Sequence, residues 1–191
     1  MVEFIKDTHT YLVDGIIVPS VSTIISKVLF ADKYKDVPDF VLRNAAEFGT
    51  AIHNAVEHES DEGLDETQSL VYSRYLKLKD EYRINPIEQE QIIHHHYDYA
   101  GTFDMIAEIN GEKCLVDIKT TYSLDIEYLS WQLSLYAYAK QFDGKLYAIW
   151  LPKRKGAELV EIPHKTHYEI HELLEAYHAL QKNRNDDQAE W

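Results

Sequence analysis

The pair Asn110-Gly111 is the feature of this sequence that most constrains its fold. It separates two runs of β-prone residues, and both central positions of a type I′ turn need a positive φ, which Asn and Gly adopt readily. A two-residue turn here predicts an antiparallel hairpin and fixes the pairing of all residues along its two strands. Asp104 on the first strand then lies directly opposite Asp117 on the second.

This pairing places two like charges together, which the rest of the sequence has to offset. Counted outward from the turn, Asp104 and Asp117 form a non-hydrogen-bonded pair, whose Cα atoms approach to about 4.5 Å. Like charges directly opposite each other destabilise a sheet. Lys119 lies on the same face as Asp117, because side chains alternate along a strand with a period of two. Two facing carboxylates and a lysine indicate a site for a divalent cation and an anionic substrate.

The composition is that of a soluble globular protein. The chain has 191 residues, of which 45% are hydrophobic and 27% charged, enough for one domain with a substantial core. No apolar run approaches the roughly 20 residues of a membrane span, and the N-terminus lacks the features of a signal peptide. We therefore expect a cytoplasmic protein that does not contact a membrane.

The cysteine content excludes several kinds of site. Cys114 is the only cysteine, so this chain has no internal disulfide, no cysteine zinc cluster and no four-cysteine iron–sulfur centre. In the predicted hairpin it lies on the face opposite Asp117. We expect a buried structural thiol.

The net charge of −14 argues against generic nucleic-acid binding through a basic surface. A negative surface is more compatible with a protein partner than with generic contact to nucleic acid. Basic residues are locally denser at 27–35 and at 153–155, and a bound divalent cation adds positive charge where an anionic substrate approaches. The charge therefore weakens the case for a nucleic-acid substrate without removing it.

Hydrophobic periodicity predicts a mixed α/β fold, with a small mixed sheet flanked by helices. Helices are predicted at residues 19–29, 39–59, 67–83, 126–141 and 167–182. Strands are predicted at 10–18, 87–96, on both sides of the turn at 110–111, at 146–151 and at 157–162. We expect a single domain over 1–191, with a mainly helical part at 1–85 and the sheet core with a C-terminal helix at 86–191.

Four short motifs follow one another along the chain, each in a predicted helix or strand. They are Gly49-Thr-Ala-Ile-His53, Ala100-Gly-Thr-Phe-Asp104, Val116-Asp-Ile-Lys-Thr120 and Gln132-Leu-Ser-Leu-Tyr136. In this order and context the chain resembles the PD-(D/E)xK nuclease superfamily, and within it the RecB-type and phage exonuclease branch. The segment 18–25 is similar to the opening segment of phage members, and the resemblance covers roughly residues 10–150.

The resemblance implies a restriction-endonuclease-like core, DNA as substrate and Mg²⁺ or Mn²⁺ as cofactor. It implies that the metal ligands are His53, Asp104, Asp117 and the backbone carbonyl of Ile118. An imidazole ligand makes the site softer than an all-oxygen site, so we expect Mn²⁺ to be accepted well. The third acidic residue is open between Glu90, which fits best, and Glu88.

Further residues are implied to contact the substrate. Lys119 would orient or help deprotonate the attacking water and counter the charge of the scissile phosphate. Gln132 and Tyr136 lie on one face of a helix and would shape the pocket or touch the DNA. Ser20 and Ser22, at a predicted helix N-terminus, either bind a phosphate or cap the helix.

These observations predict a metal-dependent DNA exonuclease that acts in recombination, repair or phage DNA processing. Two alternatives remain open. The first is a structure- or sequence-selective endonuclease on the same core, and the second is a non-catalytic module that binds DNA or a protein partner. The motifs leave open the polarity, the strand preference, the number of metals and the oligomeric state.

Overall fold

The computed structural model describes residues 1–189, apart from the side chains of Asp7 and of residues 184–189. Its centre is the predicted hairpin. Asn110 and Gly111 have φ values of 50° and 87°, as a type I′ turn requires, and Ile109 pairs with Glu112. The predicted register is therefore confirmed.

The described residues form a mixed α/β fold, which confirms the predicted class. The elements, in chain order, are β1 (Val2–Ile5), β2 (Thr10–Val13), β3 (Ile16–Val18), α1 (Val21–Val28), α2 (Asp39–His58), α3 (Glu66–Glu81), β4 (Asn85–His95), β5 (Tyr99–Ile109), β6 (Glu112–Lys119), α4 (Ile126–Lys140), β7 (Lys145–Trp150), β8 (Glu158–Ile162) and α5 (His167–Ala189). None of the described helices is both long and apolar enough to cross a membrane.

The main sheet has the strand order β4-β5-β6-β7-β8. Only β6 and β7 are parallel, and the other neighbours are antiparallel. A parallel pair needs a crossover connection, and α4 supplies it. The strand β4 begins at Asn85, earlier than predicted, and runs through Pro86. It is an edge strand, where the missing N–H of proline is tolerated.

The first part of the chain contains a second sheet, of three strands, besides α1–α3. Its order is β1-β2-β3 with antiparallel pairing. The hairpin of β2 and β3 matches the prediction at 10–18, whereas β1 was not predicted. With four residues, β1 is too short for its alternation to stand out from loop sequence.

Helices cover both faces of the main sheet. On β6, Leu115 packs into a core cluster with residues of α1, α4 and α5, and its neighbour Val116 packs into a second cluster with residues of α2 and α3. Cys114 lies in the second cluster and is buried, as expected of a structural thiol. Because β6 is buried on both faces, the polar residues at its C-terminal end have a fixed position.

The turn itself can be tested by replacing Gly111 with alanine. No atom lies within 4 Å of an added Cβ at this position, so the change introduces only the strain of a positive φ. We expect Gly111→Ala to lower the free energy of unfolding by about 1 kcal/mol in urea denaturation. Gly156→Ala is the matched control, since its Cβ also has open space and its φ is not positive. Equal effects of the two substitutions would contradict the type I′ turn.

Candidate metal centre

Three neighbouring strands each contribute one carboxylate at the same level of the main sheet. The register of the hairpin places Asp117 of β6 across from Asp104 of β5. Glu90 of β4 falls between two pairs of the β4–β5 ladder that flank Asp104, so it lies on the other side of that residue. The three acidic side chains thus form a row across β4, β5 and β6.

His53 brings an imidazole from α2 to this row. Its Nε2 lies 3.0 Å from the carbonyl oxygen of Ile118, and because a carbonyl only accepts, Nε2 is the protonated nitrogen and donates. In the neutral imidazole the lone pair is then on Nδ1, which is 3.5 Å from Oδ1 of Asp104 and 4.0 Å from Oε1 of Glu90. With His53 in this neutral form, three electron-rich atoms would face one another, an arrangement that a bound cation would stabilise.

The backbone of β6 holds the central carboxylate of the row in place. The N–H of Ile118 donates to Oδ2 of Asp104 at 2.6 Å, which leaves Oδ1 directed toward His53. His53, Glu90 and Asp104 each offer a ligand atom, and these atoms all lie within 4.8 Å of one another. One imidazole and two carboxylates form a donor set that suits Mn²⁺ and, through the oxygens, Mg²⁺.

The electrostatics of the site distinguish Glu90 from Glu88. Burial raises the pKa of Glu90 to about 7, and the charge of Asp104 contributes to the rise. Glu88 instead pairs with Lys140, with 2.7 Å between Oε2 and Nζ. Of the two glutamates that the sequence left open, only Glu90 lies close enough to Asp104 and His53 to share a cation with them.

The backbone of Glu90 is also unusual. Its φ is 48°, in the left-handed region that non-glycine residues seldom adopt. Such conformations carry local strain and occur often at functional sites. Here the strained residue is the one whose carboxylate joins Asp104 and His53.

Asp117 forms a buried ion pair with Lys119, the lysine that the strand period places on the same face. It is 2% exposed, and its Oδ2 lies 2.6 Å from Nζ of Lys119. Burial raises the pKa of Asp117, and the ammonium of Lys119 limits the rise. Although burial lowers the pKa of Lys119, the carboxylates of Asp117 and Asp104 outweigh this effect and raise it above its usual value. Lys119 is therefore a cation at neutral pH.

Two of the predicted metal ligands, His53 and Asp104, thus lie close together. Asp104 and His53 share the group with Glu90, whereas Asp117 lies outside it and pairs with Lys119. The carbonyl of Ile118 accepts a hydrogen bond from His53. A ligand role for Asp117 and for this carbonyl remains a prediction.

A cleft of about 840 Å³ opens onto the site. It contains most of the remaining predicted residues, namely Ser20, Ser22, Gln132 and Tyr136, together with His53 and Glu90. Nε2 of Gln132 donates to the hydroxyl of Tyr136 at 3.3 Å. The Tyr136 ring lies against Gly101, where an added Cβ would come within 2.7 Å of Cε1. A glycine at 101 is therefore required for the position of Tyr136.

One of the two serines, Ser20, has the capping geometry that the sequence offered as one alternative. Ser20 is the N-cap of α1, and its Oγ accepts from the N–H of Thr23 at 3.1 Å. The Oγ of Ser22 lies 2.9 Å from that of Ser20. Capping explains Ser20, and phosphate binding by either serine remains a prediction.

The cleft also has a wall that sequence reasoning missed. Phe4, Lys6, His9 and Tyr11, from the three-stranded sheet and its first connection, line it. That sheet contacts β5 directly, since the hydroxyl of Tyr11 on β2 lies 3.0 Å from Oγ1 of Thr102 on β5. No local pattern could have identified these residues, because only tertiary packing brings them to the site.

Comparison with known proteins supports the fold alone. No protein-family model and no curated protein sequence matches the chain. The crystal structure of SSO0001 is similar, with a TM-score of 0.53 and 19% sequence identity over 86% of this chain and 76% of that chain. At this identity the likeness extends to the mixed α/β architecture and carries no statement about activity.

The raised pKa of Glu90 has a consequence for stability. Because the pKa in the folded protein exceeds the ordinary value, ionised Glu90 destabilises the fold above pH 7, and this effect disappears as the pH falls toward 4. We expect Glu90→Gln to raise the free energy of unfolding of the metal-free protein at pH 8 by about 1 kcal/mol, a figure discounted for partial exposure of the side chain. Chemical denaturation in EDTA at pH 4 and pH 8 measures it.

Glu88→Gln is the matched control for this change. It removes a carboxylate from the same strand but breaks the pair with Lys140, so it should bring no gain in stability at either pH. A Glu90→Gln protein that is no more stable than wild type at pH 8 would contradict the assigned environment of Glu90.

Proposed function

We propose that this chain is a metal-dependent deoxyribonuclease of the PD-(D/E)xK superfamily, most closely an exonuclease of the RecB-type and phage branch. Its substrate is DNA, and its context is recombination, repair or phage DNA processing in the cytoplasm. The observation that carries the proposal is the convergence of His53, Glu90 and Asp104 beside the cationic Lys119. His53, Asp104 and Lys119 belong to the first three of the four sequence motifs, in that order.

In this proposal His53, Glu90 and Asp104 would hold Mg²⁺ or Mn²⁺. The bound cation supplies an activated water and stabilises charge on the phosphate oxygens. The fit rests on the donors themselves, because Nδ1 of His53 faces two carboxylates and a bound cation would offset the repulsion between Glu90 and Asp104. The acidity of the centre is therefore compatible with an anionic substrate once the cation is present.

Lys119 is the residue of this chain that acts on the phosphate. As a cation at neutral pH it donates hydrogen bonds to a non-bridging oxygen or to the attacking water, and it does not itself accept the proton. Asp117 holds the ammonium at 2.6 Å and so fixes its position. The role of Lys119 is thus to orient and neutralise.

The cleft provides contacts for the substrate strand. Gln132 and Tyr136 line it from α4, and Ser22 lines it from the N-terminus of α1. Their amide and hydroxyl groups suit hydrogen bonds to phosphate and sugar, which position a nucleic acid without reading its sequence. A protein partner in a recombination complex is compatible with the acidic remainder of the chain.

A cleavage assay tests the proposal directly. End-labelled linear DNA should be degraded in Mg²⁺ or Mn²⁺ and left intact in EDTA. We expect Lys119→Met to lower kcat by roughly 10²- to 10³-fold, as for loss of one transition-state donor, and Glu90→Gln to lower it at least as much. Glu88→Gln, outside the metal group, should keep wild-type activity.

The same assay separates the alternatives. A closed circular duplex should survive, since an exonuclease needs an end, and its cleavage would favour an endonuclease on the same core. Cleavage in EDTA, or full activity of both Lys119→Met and Glu90→Gln, would contradict the mechanism. DNA binding without cleavage in any metal would favour a non-catalytic module.

The histidine ligand has its own test by calorimetry. We expect His53→Ala to weaken Mn²⁺ binding by at least about tenfold. His58→Ala is the control. The imidazole of His58 lies on the same helix, is exposed and contacts the carbonyl oxygen of Asn54 in the preceding turn. Unchanged Mn²⁺ affinity in His53→Ala would remove His53 from the ligand set.

A further inference from the structure

A second, smaller cavity adjoins Lys119. Its volume is about 240 Å³, and it is lined by residues of the α1–α2 connection, the end of β6 and the start of α4, including Lys33, Tyr34, Lys119, Tyr122 and Tyr128. Lys119 is also the residue that contacts Asp117. The cavity therefore opens beside the place where the scissile phosphate is expected.

Tyr122 is the notable residue of this cavity. Its side chain is 80% exposed, more than any other large aromatic residue in the described part of the chain. The segment that carries it is held in place, because the indole N–H of Trp150 donates to the carbonyl oxygen of Thr121 at 2.8 Å. A ring fixed in this way presents a face to solvent at the edge of the proposed active site.

A positive charge lies next to this ring. Nζ of Lys155 is 5.6 Å from the ring centre of Tyr122 and 5.3 Å from that of Trp150. The turn that carries Lys155 is anchored by Arg74 of α3, whose Nη1 donates to the backbone carbonyls of Pro152, Lys153 and Lys155. The backbone of the basic turn at 153–155 is thus anchored, while its side chains are exposed to solvent.

Two further pairs of a lysine and an aromatic ring occur, one of them in the lining of the cavity. Nζ of Lys153 lies 4.0 Å from the ring centre of Phe48, on the helix that carries His53. Nζ of Lys33 lies 3.9 Å from the ring centre of Tyr128 and pairs with Asp125 at 2.6 Å. The carboxylate of Asp125 is therefore offset. In a chain of net charge −14, this is a local concentration of cations and rings.

We propose that Tyr122 stacks on an unpaired base of the substrate strand next to the scissile phosphate, with Lys155 contacting the adjacent backbone, so that the substrate is single-stranded DNA or a frayed end. The inference rests on the proposed function in that the substrate is DNA. A paired base is already stacked on its neighbours within the duplex, whereas an unpaired base exposes both faces. Aromatic stacking beside lysines is how proteins bind single strands without sequence preference.

The size and charge of the cavity agree with this occupant. At about 240 Å³ it is smaller than a typical ligand pocket of roughly 300–1,000 Å³, which suits one base. Tyr34, 52% exposed, lines the same cavity and offers a second ring. The positive side chains supply the charge complementarity to a phosphate backbone that the chain as a whole lacks.

The experiment is a base-deletion scan in the Glu90→Gln background with EDTA, so that no strand is cut. A fluorescent 12-mer of thymidines, and versions with one abasic position each, are titrated at fixed salt and followed by anisotropy. With Tyr122 present, loss of the base at one particular position of the 12-mer should weaken binding roughly tenfold, and loss of other bases should have smaller effects. Tyr122→Ala should weaken binding of the intact 12-mer by a similar factor and should make binding indifferent to that abasic position.

Two controls accompany the scan. Tyr168→Ala removes a tyrosine that is 70% exposed on α5, outside both cavities, and should bind like the parent protein. A fully paired hairpin should bind more weakly than the 12-mer and should not distinguish Tyr122→Ala from the parent.

The proposed backbone contact of Lys155 is tested separately. Lys155→Ala should weaken binding of all single strands equally and reduce the salt dependence.

The results separate this inference from the proposed function. The stacking site is overturned if the affinity for the 12-mer does not depend on which position is abasic. It is also overturned if Tyr122→Ala binds the intact 12-mer as tightly as Tyr168→Ala does. Either result holds even if the wild type degrades DNA. Base-dependent binding in a protein that degrades no DNA in Mg²⁺ or Mn²⁺ upholds the stacking site and overturns the nuclease. Equal affinity for the hairpin and the 12-mer overturns the single-strand preference.

Discussion

The row of three carboxylates across β4, β5 and β6 is the constraint on which the rest of the site depends. The tight turn at Asn110 and Gly111 fixes the register of β5 and β6, and the two core clusters bury β6 on both faces. The strands therefore cannot slide to separate the charges without moving the core. The repulsion has to be met by groups brought from elsewhere in the chain.

The fold meets this repulsion in two different ways. At Asp117 it supplies an ammonium from the same strand, so that end of the row is neutral without help. At Glu90 and Asp104 it supplies an imidazole, whose Nδ1 faces both carboxylates. A centre divided in this way holds its lysine beside Asp117. In the proposed function, the other end of the row, with Glu90, Asp104 and His53, would hold the cation.

The local signals in the sequence were sufficient for the hairpin and the mixed α/β class, because turn chemistry and periodicity act over a few residues. The order of the four motifs named most of the residues that the fold gathers around the carboxylates, and their roles remain predictions. They were insufficient where tertiary packing decides. The pairing of Asp117 with Lys119 depends on burial at the end of β6, and the wall formed by Lys6 and His9 depends on how the small sheet contacts β5. The left-handed φ of Glu90 has no sequence signature, since glutamate has no preference for that region.

The conformation of Glu90 has an evolutionary consequence. A glycine there would relieve the backbone, and glutamine would relieve the electrostatic repulsion while keeping the size of the side chain. Selection for folding alone would therefore favour the loss of this carboxylate. Under the proposed function, metal binding is the requirement that would retain it.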